Sequence, residues 1–117
     1  MATNDFKLLQ KVQDMMEYAY PALAQFPKAE KFSLAQDIRN CMNKILELTI
    51  VEEKRQTKRS AIENLDVENT KLKHYVRLAM KLKILPFHKY EVWTGMIVEI
   101  GKMIGGLMKS VSDRPKT

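Results

Sequence analysis

Residues 61–83 read AIENLDVENTKLKHYVRLAMKLK. Ile62, Leu65, Leu72, Val76 and Ala79 recur at spacings that share one face of a helix turning about 100 degrees per residue. Tyr75 and Met80 flank that face, and strand-like alternation is absent. Ile84-Leu85-Pro86 closes the segment, because a proline ring removes a donor and the residue before it avoids helical geometry. An amphipathic helix of this kind is stable only when its apolar face is covered. The rest of the chain must therefore supply the cover.

It does so with three more helices. Thr3 or Asn4 caps the first, with Asp5 at the positive end of its dipole, and it is expected over about residues 5–25. Its stripe reads Phe6, Leu9, Val12, Met16, Ala19, Tyr20 and Leu23; Pro21 should bend it or weaken its last turns, and Phe26-Pro27 ends it. The second is expected over about residues 29–54, with Leu34, Ala35, Ile38, Cys41, Met42, Ile45, Leu48 and Thr49 inward. The polar run Glu53 to Ser60 is the connection to the third, expected over residues 60–83. The fourth is expected over residues 87–110, with a frayed tail from Val111 to Thr117. Four such helices with short connections predict an all-α, antiparallel up-and-down four-helix bundle forming one domain over residues 1–117.

The fourth helix is too apolar for a lone bundle. Val92, Trp93, Met96, Ile97, Val98, Ile100, Met103, Ile104, Leu107 and Met108 exceed the usual stripe. The excess predicts a homo-oligomer whose interface uses Trp93, Met96, Ile100, Met103 and Leu107, with Gly101, Gly105 and Gly106 permitting a close crossing.

Charge points to the partner. The 117 residues carry 20 Lys and Arg against 14 Asp and Glu, a net charge of +6, which favours polyanions such as nucleic acid. Between Glu68 and Glu91 no acid occurs, while Lys71, Lys73, His74, Arg77, Lys81, Lys83 and Lys89 do. Lys73, Arg77 and Lys81 form one ridge at i, i+4 and i+8, turned away from the Leu72-Val76-Ala79 face. Cations near a helix C-terminus complement its dipole, which accounts for Lys81 and Lys83 but not for Lys73 and Arg77. Arg39 and Lys44 of helix two and Lys54, Arg55, Lys58 and Arg59 of the connection extend the candidate phosphate-binding set. Tyr75 and Tyr90 have the rings to stack on bases, though Tyr75 is better placed at the core edge.

Catalytic patterns are missing. His74 and His88 lack the Cys or carboxylate neighbours of a bundle metal site, and no glycine-rich phosphate loop follows a strand. No cofactor, metal or enzymatic activity is expected. The single cysteine, Cys41, lies on an apolar stripe as a buried thiol and fits a reducing compartment. With neither a secretory signal nor about eighteen consecutive apolar residues, the chain is expected in the cytoplasm.

Four stretches carry a family pattern in order: AYPALAQFPK at 19–28, FSLAQDIRN at 32–40, VRLAMKLK at 76–83 and IGKMIGGLMKS at 100–110. In these the chain resembles the bacterial four-helix-bundle family that contains the accessory variability determinant (Avd) proteins of diversity-generating retroelements and proteins encoded in intervening sequences of 23S ribosomal RNA genes. The resemblance covers about residues 6–110. It implies a pentameric barrel that binds a reverse transcriptase, template RNA and cDNA in error-prone cDNA synthesis and mutagenic retrohoming. It also implies that Lys73 and Arg77 match the family's basic binding positions. Lys102, where the family often has Arg, and Leu107-Met108, where it often has Trp, depart from the pattern and leave the choice between the two kinds of member open.

Overall fold

A computed structural model describes residues 3–54 and 59–112; side chains before Lys7, at 53–58 and from Ser112 onward lie outside the described set. The expected cap at Thr3 or Asn4, the place of Phe6 and the cations Lys54, Arg55 and Lys58 therefore fall outside it. Four α-helices are present: α1 (Thr3–Ala24), α2 (Leu34–Lys54), α3 (Arg59–Lys81) and α4 (Phe87–Ser112). Helix α1 packs on α2 and α4, and α3 packs on the same two, so the bundle closes in the order α1, α2, α3, α4. No strand occurs among the described residues.

Each boundary has a local cause. Helix α1 runs on through Pro21, then tightens as the Gln25 and Phe26 amides donate to the Ala22 and Leu23 carbonyls. Helix α2 begins at Leu34, later than the residue 29 expected from sequence. Lys28–Glu30 instead form a single 3-10 turn that buries nothing, followed by a turn to Ser33. The Ser33 carbonyl then accepts from the Asp37 amide as the first bond of the helix, while its hydroxyl donates to Glu30 at 2.9 Å. Helix α3 stops at Lys81, two residues early. Lys83 adopts a left-handed conformation (φ 63°), and the amides of Lys83 and Ile84 donate to the carbonyls of Met80 and Ala79. That is a Schellman closure, which turns the chain before Pro86.

Ile62, Leu65, Leu72, Val76 and Ala79 of α3 are all buried, as their spacing required. The stripe of α1 holds at Val12, Ala19 and Leu23, which are buried, and is shifted by one residue at two other positions. Leu8 and Met15 enter the core, Leu9 and Met16 flank it, and Tyr20 lies largely outside. Two interactions favour this phase: the indole N–H of Trp93 donates to the Met15 sulfur at 3.3 Å, and the Arg39 guanidinium lies 5.9 Å over the Tyr20 ring.

Candidate nucleic-acid interface

Lys73, Arg77 and Lys81 are exposed along one ridge of α3, because the buried residues at 72, 76 and 79 fix the helix phase. Among the described residues, none of the three has a carboxylate at ion-pair distance. Other cations are partly neutralised. Lys44 binds Glu47 at 2.7 Å and Lys71 lies 3.4 Å from Glu68, and each carboxylate raises its lysine's pKa. The three ridge cations share the lack of an ion pair with other lysines among the described residues, the half-exposed Lys89 and the exposed Lys102 for example, but they stand in line on one helix face.

The remaining expected cations do not join it. Arg39 sits on the α1–α2 seam over Tyr20, the seam opposite the one between α3 and α4. Arg59 stands at the start of α3 within 3.9 Å of Glu63, roughly 21 Å along the axis from Lys73 at 1.5 Å per residue. Lys58 lies outside the described residues. Tyr75 is half-buried and packed against the core, the placement preferred for it from sequence.

A neighbour that sequence spacing could not supply is Lys102 of α4. With Lys73 it borders a groove of about 270 Å³ between α3 and α4, also lined by Asp66, Asn69, Thr70 and Gly101. Asn69 is 5% exposed, and its amide nitrogen donates to the Ile97 carbonyl at 3.1 Å. Gly101 lies beside this bond, where a Cβ would come to van der Waals contact with the nitrogen at 3.4 Å. Within the chain, Gly95, Gly105 and Gly106 face open space instead.

The expected oligomer surface needs correction in two of its five residues. Trp93 and Ile100 are fully buried inside the bundle and have no surface to offer a second copy. Their phase on α4, shared with Ile97 and Ile104, points at the bundle axis. Met96, Met103 and Leu107 are half-buried on the flank, and Met96 borders α1 together with Val92. Charges of both signs line this seam: Lys11, Asp14 and Glu99 beside Met96, and Glu17 and Lys89 further along it.

Cys41 is buried, and its thiol donates to the Glu68 carbonyl at 3.1 Å. Burial, and then the Glu68 charge, push its pKa up to about 12, so the thiol is held in its inert protonated form. No described helix is long and apolar enough to cross a membrane. No curated protein matches the chain. A family described as bAvd-like matches it over residues 6–111, from the first turns of α1 to the last turn of α4. That span agrees with the family resemblance carried by the four sequence motifs, and the chain belongs to the bAvd-like family.

Proposed function

We propose that the chain is the non-catalytic accessory factor of a diversity-generating retroelement. In this reading its helices run in antiparallel, up-and-down order and copies of it assemble into a barrel, a pentamer by family resemblance. The assembly acts in the cytoplasm. It binds the reverse transcriptase with its template RNA and cDNA, and supports error-prone cDNA synthesis and mutagenic retrohoming. The observation that carries the reading is the open ridge of Lys73, Arg77 and Lys81, repeated by symmetry in any oligomer. Phosphate contacts from such a surface are collectively strong, salt-dependent and largely blind to sequence.

Light scattering of the purified protein should show an oligomer, and RNA affinity should fall steeply as salt rises. Replacing Lys73, Arg77 and Lys81 together by alanine should weaken binding while leaving the melting temperature in place. A monomer that ignores RNA at low salt would end this reading, and unchanged binding by the triple variant would remove the ridge from it.

A second reading draws on the half-exposed Val92, Met96, Met103 and Leu107. Here the protein is a structural bundle of the intervening-sequence type that docks a protein partner through α4, its cations merely solvated. Complex formation that survives removal of the ridge charges but not Met96→Lys would favour it.

A further inference from the structure

The seam between α3 and α4 has two edges of different chemistry. Lys73, Arg77 and Lys81 stand along the α3 edge, and Lys73 borders the seam together with Val98 and Gly101 of α4. Phe87 precedes Val98 by eleven residues, close to three turns, so it lies on the same face of α4. It also lies at the Lys81 end of the ridge. Asn69, twelve residues before Lys81, bonds to Ile97, ten residues after Phe87, and the short turn of residues 82–86 joins the two helices. The α4 edge is apolar where the α3 edge is charged, with Val98 39% and Phe87 60% exposed.

A lone exposed phenylalanine is ordinary. This one is held in place: its ring stands against Tyr90, centroids 5.8 Å apart and planes tilted by 39°, and Tyr90 packs on the core edge. Lys81, Lys83 and His88 are exposed beside it in the chain, and Glu91, one turn along α4, is the first acid after Glu68. A protein partner would have to match ring and ridge with separate apolar and acidic side chains. A nucleic-acid strand carries a phosphate and a flat π-face on every nucleotide. In a duplex those faces are already stacked on neighbouring pairs, so only an unpaired strand offers one. We infer that the α3–α4 seam binds a single strand of nucleic acid, with phosphates along Lys73, Arg77 and Lys81 and one unpaired base stacked on Phe87. The inference rests on the proposed nucleic-acid role and deepens it: the ridge holds any polyanion, and the ring selects unpaired strands.

The test uses the whole protein and three labelled probes of equal length in fluorescence anisotropy. They are an oligothymidylate, an abasic strand with the same phosphates, and a duplex. The wild type should bind the oligothymidylate about fivefold tighter than the abasic strand, or more, the effect of at least one stacked base. Phe87→Ala and Phe87→Leu should both lose that margin. Their affinities for the abasic strand and the duplex, and their salt slopes, should stay as in the wild type, because the phosphate contacts remain. Phe87→Tyr keeps the ring and should keep the margin. All three variants should melt as the wild type does, since the side chain is largely exposed.

Equal affinity of the wild type for the oligothymidylate and the abasic strand overturns the proposal without any variant having to fold. So does a Phe87→Ala variant that keeps the margin, and if that variant also loses the oligomer in light scattering, the ring belongs to a contact between copies. A margin kept by Phe87→Leu overturns stacking in favour of a merely apolar contact. If Arg77→Ala still weakens binding of all three probes in any of these cases, the ridge stands and only the stacking site falls. Absence of binding to every probe at low salt overturns both.

Discussion

The indole N–H of Trp93 donates to the sulfur of Met15 across 3.3 Å, joining α4 to α1 inside the core. Trp93 is among the largest side chains that the bundle encloses completely. Aromatic burial of this size stabilises through area, and the contact to sulfur adds a smaller, directional share. Trp93→Ala should therefore cost about 3–5 kcal/mol in urea unfolding, the usual range for emptying a buried aromatic site. A loss below about 1 kcal/mol would mean that the indole lies at a surface, where single changes have little effect.

Cys41 couples stability to pH at the alkaline end. Its thiol is lifted from 9.0 to about 12 in the folded chain, first by burial, then by the charge and hydrogen bond of Glu68, with Lys71 opposing. The stabilisation is complete below the unfolded value, because both states then hold the proton. Above it the unfolded chain releases the proton while the folded chain keeps it. Stability relative to Cys41→Ala should then fall by about 1.4 kcal/mol per pH unit until the folded thiol itself titrates. Denaturation of both proteins from pH 8 upward measures the difference, in which the shared tyrosine and lysine titrations cancel. A thiol-reactive dye at pH 8 should label Cys41 only after unfolding.

Lys83 holds a positive φ of 63° at the end of α3, a region that costs a side-chain-bearing residue about 1–2 kcal/mol. Lys83→Gly removes that strain, while the greater freedom of glycine in the unfolded chain offsets part of the gain. A net stabilisation of about 0.5–1 kcal/mol is expected in chemical denaturation. Lys83→Ala, which keeps the Cβ, should show no comparable gain. Equal effects of the two would assign the change to lost charge rather than to backbone strain.

The half-exposed flank of α4 separates packing from assembly. Met96 packs on the core edge but also borders the open groove with Asp14, Gly95 and Glu99. A lysine there keeps an aliphatic stem over the core and places its charge in water. Met96→Lys should leave the helical circular dichroism signal unchanged and shift light scattering toward the monomer. An unchanged oligomer would place the contact between copies elsewhere.

Much of this architecture is written in the chain itself. The buried face of helix α3 is legible in the chain because its apolar positions form one narrow stripe among polar neighbours, and only one helix phase buries Leu65, Leu72 and Val76 together. The same phase sets Lys73, Arg77 and Lys81 outward, so the ridge needed no tertiary information. The proline boundaries and the family motifs are equally local.

What the chain could not specify alone arises where two solutions satisfy the same periodicity, or where distant residues meet. In α1 the apolar residues come as neighbours, Leu8 with Leu9 and Met15 with Met16, giving two stripes one residue apart; contact with Trp93 favours Met15 inward. In α4 the apolar surface is wide, so Trp93 and Ile100 read as outer residues until the packed bundle encloses them. Lys73 and Lys102 border one groove only because α3 and α4 pack side by side, and Asn69 is a buried acceptor only because α4 covers it. Periodicity fixes which face of a helix must be covered, but packing decides what covers it, and the groove belongs to that second decision.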